Sequence, residues 1–261
     1  MIKSFVPSDY RALLDFISPE AFKVIEWKTA AAQFIQLTKQ SMDSEKISSA
    51  AKESSRILAI DLSLKGQNYR SASGQEIDDS KHAGETETRF EHEVLDVYFS
   101  QFFSTKGVFL DLRAKFFRTS EYSGTVFAPS SFVHTFDEKF RLGLLDIYEG
   151  YYLSRPKKME NGLLALGLVK NGDPEKIEET KKLLFSHFGD ADQGLVSLEL
   201  THFKKSFHAL FLYLKRESIT LTSDFLFLGI YLVTLYLCLA ESNQKVDVKE
   251  AFLTSWRRNS N

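Results

Sequence analysis

The reading of the fold turns on DFLFLGIYLVTLYLCLAE, residues 224–241. No charge interrupts it between Asp224 and Glu241, so it is either a membrane span or the centre of a core. From Phe225 to Ala240 a helix covers roughly 24 Å, short of the ~30 Å hydrocarbon core of a bilayer. Both flanks are acidic, and no Lys or Arg stands there to reach headgroups or set an orientation. A helix that is apolar all round is also what the middle of a helical domain requires. The stretch predicts a buried core helix and leaves open a peripheral contact with a membrane.

The composition agrees. The chain has 261 residues, 43% hydrophobic and 26% charged, with a formal net charge of -2. That is the profile of one large globular domain, or of one domain with a small appendage, and it needs no disulfide or metal to bury a core. The 23 phenylalanines recur at helical spacing, and only five prolines and 13 glycines interrupt them, which predicts long helices with aromatic cores. The single Cys238 lies inside the apolar run, so it forms no internal disulfide and suits a reducing cytosol. With no charge or turn beside it to favour a thiolate, it reads as core. MIKSFVPSDYRALLDF is too polar and acidic for a signal or transit peptide. Interspersed charges near neutrality leave no basic footprint for nucleic acid.

Along the chain, Ser18-Pro19-Glu20 reads as the start of the first clear helix, with Ser as N-cap. QSMDSEKISSAAKESS continues as a surface helix, and ILAIDLSL (57–64) alternates like a strand. The polar stretch that follows, through Arg89, reads as a loop or linker. From Phe90 the helical period returns through Val94, Tyr98 and Phe102, until Gly107 ends it. VFLDLRAKFFRTSEYSGTVFAPSSFV is hydrophobic but aperiodic, which predicts short extended pieces. Thr135-Phe136-Asp137-Glu138 reads as a capping box, Asp173-Pro174-Glu175 caps a further helix, and Leu195–Leu214 reads as another.

The candidate chemical groupings are sparse. Glu199-x-x-His202 has the spacing of di-iron bundles, but no second copy follows, so no metal residue is assigned. Glu91-His92-Glu93 reads as a solvated first helical turn, and Lys65-Gly66-Gln67 as loop. Trp256-Arg257-Arg258 reads as a frayed tail that could touch anionic lipid or a partner. No nucleophile elbow or phosphate loop is present.

RFEHEVLDVYFSQFFSTKGVF, FVHTFDEKFRLGLLDIYEGYYLSRPKKMENGLLALGLV and the late DFLFLGIYLVTLYLCLAESNQKVDVKEAF occur in an order that resembles the C-terminal lobe of the UbiB/AarF-type atypical protein kinases. The resemblance implies a catalytic loop at GVFLDLRAKFFR and a metal-holding Asp-Phe-Gly at Ala128-Pro129-Ser130. Asp111 is the only acidic residue in the first place, with no His or Asn beside it, and the second has none. It also implies a hinge strand at ILAIDLSLKG, after a region too short for the family's N-terminal lobe and its lysine. Phosphoryl transfer rests on metal-held phosphates, so a degenerate, inactive relative is expected.

The expected fold is mainly α: a helical domain resembling a kinase C-lobe over 90–258, a small mixed α/β N-terminal region over 1–65, and a polar loop or linker over 66–89. The expected function is a non-catalytic, pseudokinase-like cytoplasmic protein that binds a protein partner, with a peripheral membrane or lipid contact at the inner face and no nucleic acid. No catalytic, cofactor-binding or metal residue is assigned, and no cofactor is expected. The alternative is an all-α protein that binds a lipid or isoprenoid. A hydrolase or metalloenzyme with scattered Asp, Glu and His is a third.

Overall fold

Residues 8–58, 87–120, 124–170, 172–188, 195–240 and 244–260 are described by the structure, a computed structural model. In chain order the helices are α1 (Ser8–Arg11), α2 (Ala21–Val24), α3 (Trp27–Gln40), α4 (Ser44–Leu58) and α5 (Glu87–Ser100). Four short strands follow: β1 (Val108–Phe109), β2 (Phe117–Ser120), β3 (Gly124–Phe127) and β4 (Val133–His134). Then come α6 (Glu138–Tyr152), α7 (Pro156–Ala165), α8 (Pro174–Phe188), β5 (Leu195–Ser197), α9 (Leu200–Arg216), α10 (Asp224–Ala240), β6 (Lys245–Asp247) and α11 (Val248–Asn259). The fold is mainly α, as the aromatic periodicity predicts.

The opening stretch forms α10, and Leu226, Phe227, Ile230, Tyr231, Val233 and Thr234 on successive sides of it are all buried. No helix among the described residues is long and apolar enough to cross a membrane. The N-terminal helices join the same core: Leu13, Phe34, Leu37 and Ala50 belong to one buried cluster with α10. Phe34 meets Phe227 at 4.9 Å between ring centroids.

The polar groups packed around Tyr231 and Thr234 are paired. Tyr98 stacks on Tyr231 at 5.0 Å, and its hydroxyl shares a hydrogen bond with that of Tyr148. Gln101 donates to the Tyr231 hydroxyl at 2.7 Å and accepts from the Phe109 amide at 2.7 Å. Burial pushes the Tyr98 and Tyr231 hydroxyls well above the ordinary tyrosine range, so both stay neutral. Thr234 donates from its hydroxyl to the Leu110 carbonyl at 3.0 Å and accepts from the Leu112 amide at 3.1 Å.

The segment read as short extended pieces folds as two antiparallel pairs, β1 with β4 and β2 with β3. Elsewhere tertiary pairing overrides local signals. The helix expected from Ser18 breaks at Ile25, because the Leu221 amide donates to the Val24 carbonyl and the Leu221 carbonyl accepts from the Glu26 amide. Ile57 and Leu58, read as the start of a strand, close α4, with both side chains buried; the rest of that reading lies outside the described residues. The helix expected to run to Gly107 is α-helical to Ser100, tightens to a 3-10 turn over Gln101–Phe103 and ends at Ser104. Leu195–Ser197, read as helix, pairs with Lys245–Asp247. The cap of α6 is Asp137, whose carboxylate accepts from the Lys139 and Phe140 amides, while the Thr135 hydroxyl donates to the Lys106 carbonyl. The tail read as frayed is the end of α11, where Arg258 binds Asp96 and Ser100.

α6 and α7 pack backbone to backbone, with glycine at the crossing. A Cβ on Gly150 would stand 2.4 Å from the Met159 amide nitrogen. Alanine in a helix normally gains about 1 kcal/mol over glycine, but here the overlap dominates. Gly150→Ala is expected to lose about 2–3 kcal/mol, read as a lower urea midpoint. Thr234→Val, which strands the Leu110 and Leu112 backbone groups, should cost about 2 kcal/mol, and Thr234→Ser should recover most of it.

Candidate functional site

The two segments around Asp111 and Ala128–Ser130 meet in space. β1 pairs with β4, the Leu110 amide donates to the Phe132 carbonyl at 3.1 Å, and the Ala128 amide donates to the Phe116 carbonyl at 2.7 Å. This brings Asp111 and Ser130 to the same side chain, Tyr10. The Asp111 side chain is buried, and both its oxygens accept from the Arg113 guanidinium, with Nε at 2.8 Å and Nη2 on the other oxygen. Tyr10 closes the face. Its hydroxyl hydrogen-bonds Ser130 at 3.4 Å, its ring lies under the Arg113 guanidinium at 5.6 Å, and it meets Phe132 edge-on at 4.8 Å. Burial, then the Asp111 charge, pushes the Tyr10 hydroxyl far above its ordinary range, so it is a neutral donor. The Arg113 amide, Nε and Nη2 together take three of the about four acceptor positions of the Asp111 carboxylate.

A second pair lies next along β4. His134 Nε2 and Asp224 Oδ1 are 2.8 Å apart, and Asp224 Oδ2 accepts from the Asp137 amide at 3.0 Å. The imidazole stacks on Phe227 at 4.0 Å and meets the edge of Phe136 at 4.8 Å. Burial lowers the His134 pKa, and the Asp224 hydrogen bond and charge offset only part of that. Sequence reasoning missed this pair because its members are far apart in the chain; the acidic N-terminus of an otherwise apolar helix was the one available signal.

The third feature is the turn Ser104–Gly107. The Glu53 carboxylate accepts from the Ser104 hydroxyl at 2.6 Å, the Thr105 amide at 3.0 Å and hydroxyl at 3.1 Å, and the Lys106 amide at 2.7 Å. Burial raises the Glu53 pKa, but these hydrogen bonds together outweigh it and hold the carboxyl below its ordinary value. Beside this turn lies a polar cleft of about 410 Å³, lined by Asp43, Glu45, Lys46, Ser49, Thr105, Lys106 and Thr135.

The other groupings are dispersed. Glu199 is exposed and bonds the Ser197 and Thr201 hydroxyls. No group of three metal-binding side chains occurs among the described residues. Glu91, read as solvated, is buried in α5. His208 shares a hydrogen bond with the Ser18 hydroxyl at 3.0 Å. Cys238 is buried, as read. Lys65-Gly66-Gln67 lies outside the described residues. Two apolar hollows, one lined by Phe203, Phe211 and Gly229 and one by Tyr98, Tyr152 and Tyr236, measure about 20 and 30 Å³, room for about one water each.

The His134 pair carries a pH signature. A depressed folded pKa means that the unfolded chain takes up the proton first, so the contribution is present above 6.5 and fades as pH falls through the folded value. The expected outcome is a stability difference between wild type and His134→Gln that changes as pH falls below 6.5 and is constant above about 7.5, followed by urea midpoints. A difference independent of pH would contradict it. Compared with protein-family models and with curated proteins, the chain matches none.

Proposed function

We propose that this chain is a non-catalytic, pseudokinase-like helical protein that acts by binding a protein partner in the cytoplasm, with the inner face of a membrane as a second contact and without nucleic acid. The observation that carries this reading is the closure of Asp111. The resemblance to the UbiB/AarF-type kinases puts the catalytic base and a metal ligand in the segment around Asp111, and the magnesium-holding Asp-Phe-Gly at Ala128–Ser130. A site of that kind must meet the charge of a metal-bound triphosphate with open carboxylates. Here the two segments meet, their only acidic side chain is bound on both oxygens by Arg113, and Tyr10 lies over them. The lipid-binding alternative draws no support from the two apolar hollows, because neither takes an isoprenoid chain without opening.

Titration with ATP and magnesium tests the reading. No rise in the melting midpoint and no phosphate release are expected, and a saturable rise with turnover would overturn it. Arg113 is then expected to be structural. Arg113→Ala should cost about 3 kcal/mol by leaving a buried charge unpaired, and Asp111→Asn in the same chain should recover a large part of it. The readout is the urea midpoint of the three variants.

A further inference from the structure

The polar cleft beside the Ser104–Gly107 turn has no part in the reading of Asp111, and its charges are unequally met. Lys46 Nζ bonds the neutral Gln40 side chain. Its ammonium is partly buried and its pKa is lowered, by burial first, with the Asp43 charge offsetting part of that. Neither Lys46 nor Lys106 has a carboxylate within ion-pair distance among the described residues. The two carboxylates of the cleft differ. Asp43 is committed to the start of α4, where one oxygen accepts from the Glu45 and Lys46 amides at 3.1 and 3.0 Å. Glu45 is exposed at the rim. Thr105, Ser49 and Thr135 add hydroxyls to the lining. The neighbouring turn already shows what this backbone does with an anion, since it gives two amides and two hydroxyls to the Glu53 carboxylate.

We infer that this cleft binds a phosphate group, with Lys46 and Lys106 as its countercharges and the Ser49 hydroxyl as a donor. A dianion suits two ammonium groups with no carboxylate in ion-pair distance and the Ser49 hydroxyl; the Thr105 and Thr135 protons are already given to Glu53 and the Lys106 carbonyl. The cleft, about 410 Å³, is open to solvent, so a phosphate can enter without any part of the chain moving aside. His134 lies close enough to feel the Lys46 charge, so a bound anion would also ease protonation of the imidazole.

The experiment is a calorimetric titration of the full chain with inorganic phosphate, against chloride at matched ionic strength. A parallel arm co-sediments the protein with phosphatidylcholine vesicles containing phosphatidic acid, which separates a lipid headgroup from free phosphate. Saturable binding in either arm is expected. Lys46→Met and Lys106→Met should each weaken it about tenfold, Lys46→Arg and Lys106→Arg should retain it, and Glu45→Gln should tighten it roughly threefold. Circular dichroism confirms that each variant is folded. Binding that chloride reproduces, affinities unchanged in both methionine variants, weaker binding by Glu45→Gln, or no binding in either arm would each overturn the assignment.

Discussion

α10 is surrounded by protein, and a helix in that position tolerates a polar side chain only where a partner meets it. Its polar groups therefore dictate what lies around it. Thr234 fixes the backbone at Leu110 and Leu112, and Asp224 fixes His134 and the amide of Asp137, the cap residue of α6. Tyr231 fixes Gln101, which in turn holds Phe109. The strands β1 and β4 are too short to set their own register, each being two residues long. They take it from the helix beneath them.

That dependence explains why the segment around Asp111 is so closed. Leu110 and Leu112 are both buried and held from below, so the Asp111 carboxylate between them has one direction left, toward Arg113 and Tyr10. A carboxylate buried to this degree needs full compensation, and a bidentate guanidinium supplies both charge and geometry. The same logic runs through the aromatic layer, where buried tyrosine hydroxyls stay neutral and bond each other or Gln101. Polarity inside this molecule is spent on holding position.

Much of the helical framework could be read from residue spacing. α10 follows from an unbroken apolar run, α6 from apolar periodicity, and α8 from periodicity and its Asp173 cap, because these signals are local and strong. The misreadings share one physical cause. Ser18-Pro19-Glu20 has good capping chemistry, yet the chain breaks at Ile25 because the Leu221 backbone competes for the same groups. Leu195–Ser197 has helical neighbours, yet it finds a strand partner some 50 residues later in the chain. Ile57 and Leu58 open a stretch whose alternation begins only at Ile60, and they sit on the buried side of α4, where Ala50, Ala51 and Ser54 make a small-residue face. Local propensity loses to distant pairing wherever the distant partner satisfies a buried backbone group. The candidate site was less legible still. Asp111 stood out as an acid in a hydrophobic segment, but Tyr10, Arg113 and Ser130 are joined only by the fold, and so are His134 and Asp224.

Tyr10 shows how the N-terminal part of the chain bears on the rest. It lies far from the segment around Asp111 in the sequence, and its ring and hydroxyl together cover Arg113, Phe132 and Ser130. Uncovering Asp111 for any ligand would mean removing this side chain from a setting in which it is almost wholly buried. The cost falls on more than one residue, because Leu13, Leu14 and Ile17 follow it directly into the core beside α10. A cap of that kind cannot swing out alone. It leaves with the segment to which it belongs, and that segment is held by the same central helix that fixes the carboxylate.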